Sequence, residues 1–172
     1  MKVSLGMIDG GERLQLVTTG EAVVKIGELG LAGGAGVLRT LLGSCIGLCV
    51  YDRQRRIGGL AHIVLPDSHG RQDSLGKYAD TAVPELIRQI TLAGGRAGSL
   101  NAKIAGGADM FAAAKTMTVG SQNRTAVLAC LKLRDIPVLK DHCGGEQGRR
   151  MYFFPETGRV RIEIVGQEPV DL

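Results

Sequence analysis

The chain has 172 residues, of which 44% are hydrophobic and 22% charged, and its formal net charge is +4 at pH 7. This size and balance indicate one globular domain, residues 1–172, with a hydrophobic core of its own. Aromatic residues make up only 3%, and no basic stripe is interleaved with them, so nucleic-acid binding is not expected. Without a membrane-length apolar run or a signal-peptide pattern, we expect a cytoplasmic protein with no membrane insertion and reduced cysteines.

The first part of the chain predicts one strand followed by a loop. Residues 1–11 are polar and rich in glycine, a composition that suits a flexible lead-in. Residues 14–24 predict the first strand. Residues 27–36 are mostly Gly and Ala around Leu29 and Leu31, which predicts a flexible loop rather than a regular element.

A β-hairpin is predicted over residues 37–66, where two runs rich in Ile, Leu and Val flank a polar turn. If the turn is centred between Arg53 and Gln54, Cys45 lies directly opposite His62 on the neighbouring strand. Directly opposed residues share a face of the sheet, with Cβ atoms about 5 Å apart. The hairpin therefore predicts a thiol within reach of an imidazole, provided that the turn has this length.

The second half of the chain predicts two helices and four strands. The helices cover residues 77–93, with Pro84 near the first turn, and residues 123–133. The strands cover residues 102–108, 137–139, 151–154 and 160–165. Because strands and helices alternate irregularly, the predicted fold class is α+β.

The predicted Cys45–His62 pair suits nucleophilic catalysis on an amide. A histidine that takes the thiol proton leaves a thiolate, which is the reactive form. Attack on a carbonyl carbon creates an oxyanion, which the backbone N–H groups of Ser44 and Cys45, after Gly43, are placed to stabilise. The hydroxyl of Thr40 is the candidate third group that orients His62.

A structural interpretation of the same residues stays open. Cysteine in an apolar strand is more often an inert core residue, and a lone histidine there is usually a structural hydrogen-bonding group. The triplet Asp141-His142-Cys143 does not indicate a metal site, because neighbours in an extended segment point to opposite faces and no zinc-type spacing is present. No metal or cofactor is expected.

Several motifs, in the same order along the chain, resemble the CheD family of chemoreceptor glutamine deamidases. The segments Thr-Leu-Leu-Gly-Ser-Cys-Ile-Gly-Leu-Cys-Val-Tyr-Asp (40–52) and Ile-Gly-Gly-Leu-Ala-His-Ile-Val-Leu-Pro (57–66) resemble its nucleophile and histidine segments. Further similar motifs are Gly-Lys-Tyr-Ala-Asp (76–80), Lys-Ile-Ala-Gly-Gly-Ala-Asp-Met-Phe (103–111), Ile-Pro (136–137), Asp-His-Cys-Gly-Gly (141–145) and Gly-Arg-Arg (148–150). The resemblance spans roughly residues 14–165.

The resemblance implies hydrolysis of glutamine side chains to glutamate on methyl-accepting chemotaxis receptors, with Cys45 as nucleophile and His62 as base. Some family members also hydrolyse receptor glutamyl methyl esters, and many bind the CheC phosphatase. The implied fold has twisted β-sheets flanked by helices, similar to the catalytic domain of cytotoxic necrotizing factor toxins. Some members carry the orienting threonine at the position of Arg39, whereas others match this chain with Thr40.

Four further residues are candidate substrate contacts. Gly106 and Gly107 would let a substrate backbone approach the site, or simply form a sharp turn. Lys77 and Tyr78 would touch the substrate, or simply cap and pack the start of a helix. The alternative to an enzyme is a docking protein that binds receptors or CheC without turnover, and a general cysteine peptidase is a weaker alternative.

Overall fold

A computed structural model describes residues 12–110 and 117–172, so the prediction for residues 1–11 and the Phe111 end of the 103–111 motif lie outside the described residues. The α-helices in these ranges are α1 (Ala79–Leu92) and α2 (Val119–Lys132), and a short 3-10 helix covers Ala97–Ser99. The strands, in chain order, are β1 (Leu16–Val17), β2 (Glu21–Val23), β3 (Leu29–Gly33), β4 (Val37–Leu42), β5 (Ile46–Asp52), β6 (Ile57–Ile63), β7 (Leu100–Gly106), β8 (Val138–Cys143), β9 (Arg149–Phe154), β10 (Arg159–Glu163) and β11 (Val170–Asp171).

Two mixed sheets hold these strands. The six-stranded sheet has the order β1-β3-β6-β5-β7-β8, and the five-stranded sheet has the order β11-β10-β9-β4-β2. Most neighbours are antiparallel, and the parallel pairs are β1–β3, β7–β8 and β2–β4. The predicted α+β class is confirmed. Within the described ranges, neither α-helix is long and apolar enough to cross a bilayer.

The six-stranded sheet is the middle layer, covered by helices on one face and by the five-stranded sheet on the other. In β5, Leu48 and Val50 join the core with α1 and α2, whereas Cys49 and Tyr51 join the core that contains Phe153 of β9. Because both faces are covered, every residue of β5 and β6 is buried. This explains why both strands are apolar runs without a polar alternate face.

Residues 27–36 do not form the predicted loop, because β3 runs from Leu29 to Gly33 with all its residues buried. It pairs antiparallel with β6, and Gly30 lies opposite Leu60. A Cβ on Gly59, the residue opposite Leu31, would lie 2.5 Å from Leu86 Cδ1 of α1. The absence of a side chain at Gly59 therefore lets β6 and α1 pack closely beside β3. Pairing with β6 overrides the low β propensity of glycine and alanine in β3.

The apolar run over residues 37–52 is not one arm of a hairpin. It is divided between β4 in the five-stranded sheet and β5 in the six-stranded sheet, and residues 43–45 connect them. Helix α1 also begins at Ala79, which places Pro84 beyond the first turn. There the proline removes one helix hydrogen bond, a loss that the buried face of α1 compensates.

The close approach of the two sheets at Gly58 leads to a test. A Cβ at Gly58 would lie 2.6 Å from the Val50 carbonyl oxygen and 2.7 Å from Phe153 Cζ. Gly58→Ala is expected to lower the free energy of unfolding by about 1–3 kcal/mol, because neither neighbour can move away cheaply. Urea denaturation measures the change.

Gly98→Ala is the matched control, since a Cβ there meets nothing within 4 Å. It is expected to leave the free energy of unfolding nearly unchanged. Equal stability of the two variants would show that the sheets separate easily at Gly58.

Candidate active site

Cys45 lies at the end of the connection that crosses from one sheet to the other. The segment Gly43–Ser44–Cys45 follows β4 and leads into β5. Cys45 is a free, partly exposed cysteine that packs against the core between the two sheets. Its position at a change of sheet gives the thiol access to solvent while its neighbours in β5 are buried.

The predicted register of the hairpin is wrong by two residues. Gly47, not Cys45, lies opposite His62, because the turn contains the four residues 53–56. The Asp52 carboxylate accepts hydrogen bonds from the backbone N–H groups of Gln54 and Arg55, at 3.1 and 3.2 Å, and so stabilises this longer turn. Since the pleat repeats every two residues, a shift of two keeps Cys45 and His62 on the same face.

Cys45 and His62 are therefore diagonal neighbours rather than a directly opposed pair. Among the described contacts, no hydrogen bond joins the Cys45 thiol to the His62 ring. Gly47 leaves no space for a substrate beside the pair, because a Cβ there would lie 2.5 Å from Met151 Sδ of β9. Solvent therefore reaches the pair from the side of Cys45, which is partly exposed, whereas His62 is buried.

Thr40 holds the His62 ring across the gap between the sheets. Thr40 Oγ1 of β4 lies 2.7 Å from His62 Nδ1 of β6 and donates to the Val24 carbonyl, also at 2.7 Å. Both side chains are nearly inaccessible, with 4% and 2% exposure. The hydroxyl has one proton, which it donates to the Val24 carbonyl, and the Nδ1–H tautomer of His62 then fits as the donor to Thr40. His62 Nε2 is then the basic nitrogen.

Burial shifts the pKa of both Cys45 and His62. It lowers the pKa of His62 from its ordinary 6.5 to about 4, against a smaller opposite effect of the Val24 carbonyl. Burial also raises the pKa of the Cys45 thiol above its ordinary value. At neutral pH the pair is therefore a neutral thiol and a neutral imidazole, not a preformed ion pair.

Gly106 and Gly107 pack against the backbone of the Cys45 segment. Gly107 N donates to the Cys45 carbonyl at 2.8 Å, and Ala108 N donates to the Gly43 carbonyl at 2.9 Å. Gly106 has a φ of +108°, and a Cβ there would lie 2.2 Å from the Cys45 carbonyl oxygen. These contacts match the turn alternative for the two glycines.

Gly43 lies beside the exposed side chain of Met110, which can move, so neither a fixed contact nor its φ requires a glycine there. Gly43 does not have a positive φ, and a Cβ there would lie 2.8 Å from Met110 Sδ. Its carbonyl is used, as is that of Cys45, whereas the N–H groups of Ser44 and Cys45 donate to no other described residue. Two neighbouring donors at the thiol are therefore available.

Lys77 and Tyr78 contact Asp73 and the end of β6. The Tyr78 side chain is fully buried, with its hydroxyl 3.0 Å from Asp73 Oδ1, and Lys77 Nζ lies 3.1 Å from Asp73 Oδ2. The Lys77 carbonyl accepts from Val64 N and Leu65 N. This geometry matches the packing alternative, in which the two residues fix the start of α1 against the histidine strand.

The Asp141-His142-Cys143 segment is hydrogen-bonded to two arginine side chains. Asp141 Oδ2 accepts from Arg124 Nε at 2.8 Å, and the His142 carbonyl accepts from Arg149 Nη1 at 2.5 Å. Across residues 12–110 and 117–172, no three His, Cys, Asp or Glu side chains come together as metal ligands would.

Sequence reasoning missed Asn123 of α2. This residue is fully buried, and its Nδ2 donates to the carbonyls of Val64 and Ser44. The signal was its spacing, since Asn123, Val127 and Leu131 are four residues apart and form the buried stripe of the helix. An amide in such a stripe needs hydrogen-bond partners, which are the two strand ends here.

Comparison with known proteins shows the family to which this chain belongs. The family model described as CheD chemotactic sensory transduction matches residues 64–164, more than half of the chain. The Thermotoga maritima protein named chemoreceptor glutamine deamidase CheD is 42% identical over 145 residues, which cover 84% of this chain and 92% of that protein. This chain belongs to the CheD family.

Two other CheD relatives agree. A Methanococcus vannielii protein named probable chemoreceptor glutamine deamidase CheD is 45% identical over 141 residues, covering 81% of this chain and 92% of its own length. The Halalkalibacterium halodurans chemoreceptor glutamine deamidase CheD is 41% identical over 154 residues, covering 84% and 95%. The CheD family match begins at Val64, after Cys45 and His62, so the roles of these residues stay predictions.

The Thr40–His62 contact gives a first test of the site. Thr40→Val keeps the shape of the side chain but removes the hydroxyl, so the Nδ1–H and the Val24 carbonyl both lose a partner. We expect the free energy of unfolding to fall by about 1–3 kcal/mol and the ring to lose its preference for the Nδ1–H tautomer. Nitrogen NMR of the His62 ring reports the tautomer. Thr40→Ser, which keeps the hydroxyl, is expected to behave like the wild type, and an unchanged tautomer in Thr40→Val would contradict the assignment.

The lowered pKa of His62 gives a second test. Its value of about 4 in the folded protein lies below the ordinary 6.5, so the unfolded chain binds more protons between these pH values. The free energy of unfolding should therefore fall as pH falls from 6.5 to 4, by about 3 kcal/mol from this residue.

The control is His62→Gln, measured by urea denaturation at the same pH values. The difference in stability between the wild type and the variant should shrink as pH falls, because only the wild type contains the His62 ring and all other groups are common to both. A difference that stays constant with pH would mean that the ring titrates alike in the folded and unfolded states.

Proposed function

We propose that this protein hydrolyses glutamine side-chain amides to glutamates on methyl-accepting chemotaxis receptors, in the cytoplasm. Cys45 is the nucleophile, His62 the base and Thr40 the group that orients the ring. The single observation that carries the proposal is the buried Thr40–His62 hydrogen bond beside the segment that holds Cys45. The names of the CheD relatives support the choice of chemoreceptors as the substrate.

The first step forms a thioester. Since His62 donates from Nδ1 to Thr40, Nε2 is free to take the Cys45 proton when a substrate amide is in place. The thiolate sulfur bonds to the amide carbon, and the carbonyl oxygen becomes an oxyanion. The N–H groups of Ser44 and Cys45 are proposed to stabilise it, since they are otherwise unused among the described contacts.

The second step releases ammonia. Hydrolysis of the thioester then leaves a glutamate side chain on the receptor and frees Cys45. Protonated His62 gives its proton to the leaving amide nitrogen as the carbon–nitrogen bond breaks. A water molecule, deprotonated by neutral His62, then attacks the thioester, and Cys45 leaves and regains its proton. The balance is one amide and one water converted to one carboxylate and one ammonium ion.

The pKa values of the free site suit this sequence. A histidine whose pKa is lowered by burial is a strong acid once protonated, so it transfers its proton readily to the poor amide leaving group. The raised pKa of Cys45 keeps the thiol protonated until the substrate arrives, which limits side reactions of a free thiolate. Proton transfer and attack are thus coupled to substrate binding.

The same thioester would form from a glutamyl methyl ester with methanol as the leaving group, so we extend the proposal to receptor methyl esters. The CheC phosphatase remains a predicted partner. The competing function is a docking protein that binds the receptor or CheC without turnover. The two functions differ in whether the effect on the receptor requires Cys45.

The test is incubation of the purified protein with a receptor cytoplasmic domain, followed by mass spectrometry of receptor peptides. Each deamidated glutamine gains about 1 Da. Specific glutamines are expected to become glutamates with the wild type and to stay unchanged with Cys45→Ala, because the nucleophile is lost. Cys130→Ala is the matched control, since Cys130 is another free, partly exposed cysteine but lies in α2.

Cys130→Ala is expected to deamidate the same glutamines as the wild type. If Cys45→Ala still deamidates them, the assigned nucleophile is wrong. If neither the wild type nor Cys45→Ala changes any glutamine while both bind the receptor domain, the docking function replaces the enzymatic one.

A further inference from the structure

Asn123 makes contacts that the proposed chemistry does not yet use. It is fully buried in α2, on the same stripe as Val127 and Leu131, which pack into the apolar core under the six-stranded sheet. Burying an amide without partners is costly, so the hydrogen bonds of Asn123 are what allow it in this position.

The partners of Asn123 lie where β5 and β6 separate. The last residue pair of this ladder at the Cys45 end is Ile46 opposite Ile63. Just beyond it, Asn123 Nδ2 donates to the Val64 carbonyl at 2.8 Å and to the Ser44 carbonyl at 3.3 Å. The side chain therefore bridges the two strand ends that carry Cys45 and His62.

The orientation of the amide is unambiguous. Asn123 Oδ1 is buried and has no hydrogen-bond partner among the described residues. Exchanging the oxygen and nitrogen would place Oδ1 against two carbonyl oxygens and leave the NH₂ group without an acceptor. The NH₂ group must face Ser44 and Val64.

This contact sets the direction of the next N–H group. The Ser44 carbonyl and the Cys45 N–H belong to one planar trans peptide, in which they point in opposite directions. Asn123 lies on the helix side of the six-stranded sheet, so holding the Ser44 carbonyl there turns the Cys45 N–H to the other side. That side carries His62 and Thr40, which pack between the two sheets.

We propose that Asn123 is a positioning residue, which holds the Ser44–Cys45 peptide so that the Cys45 N–H points at the oxyanion formed during deamidation. This inference rests on the proposed function. Ala108 N does the same for the preceding peptide, because it binds the Gly43 carbonyl and so directs the Ser44 N–H. The second bond of Asn123, to Val64, ties this arrangement to the histidine strand.

The test uses Asn123→Leu, which keeps the volume without donors, and Asn123→Asp, which places a carboxylate against the two carbonyls. Loss of an oxyanion donor lowers kcat by about 10²–10³-fold, and a misdirected donor is expected to lower it by at least about tenfold. KM for the receptor domain should not change, because the contact acts only in the transition state. Asn101→Asp is the matched control, since Asn101 is the other asparagine and pairs with Tyr51, at the opposite end of β5.

Alkylation of Cys45 by iodoacetamide separates positioning from general damage. This displacement needs the thiol but forms no oxyanion, so its rate, followed on the Cys45 peptide by mass spectrometry, should be the same in all variants. A wild-type kcat in both Asn123 variants would overturn the proposal. So would a parallel fall of kcat, alkylation rate and thermal stability, which would indicate a purely structural role.

A crystal structure of Asn123→Leu gives an answer that does not depend on turnover. The Ser44–Cys45 peptide is expected to rotate away from its position in the wild type. An unmoved Ser44 carbonyl would overturn the inference even if the wild type deamidates nothing. Failure of the proposed function is recognised separately, by a wild-type protein that leaves receptor glutamines unchanged.

Discussion

The hydrogen bond between Thr40 and His62 is the interaction on which the site depends. It joins β4 of one sheet to β6 of the other, and the Val24 carbonyl completes it by taking the hydroxyl proton. Elsewhere between the sheets, small residues such as Gly58 let the two layers approach closely. Burial between the sheets keeps the ring neutral, and the hydroxyl decides which nitrogen carries the proton.

The segment that carries Cys45 is held by its carbonyl groups. Ala108 N binds the carbonyl of Gly43, Asn123 Nδ2 that of Ser44, and Gly107 N that of Cys45. Because each carbonyl is fixed, planarity fixes the N–H group of the same peptide as well. The connection between the two sheets is therefore held in one conformation, as the proposed oxyanion site requires.

The error in the hairpin register shows what a two-residue shift preserves. Cys45 and His62 remain on one face because the pleat repeats every two residues, but their direct opposition is lost. The length of the turn determines the register of the two strands. Asp52 stabilises the four-residue turn by accepting hydrogen bonds from Gln54 N and Arg55 N. The glycine-rich stretch that contains β3 is predicted as a loop, but it forms a strand by pairing with β6, which lies later in the chain.

The sequence by itself determined the α+β class, the two helices, strands β6 to β10 and the choice of Cys45, His62 and Thr40 as candidate residues. Local apolar spacing and order along the chain contain that information. Only the tertiary structure decided that the run over residues 37–52 divides between two sheets, that Gly106 and Gly107 pack against the backbone of the Cys45 segment, and that Asn123 reaches Ser44. These contacts join residues far apart in the chain, and their geometry follows from how the layers pack, which no local pattern encodes.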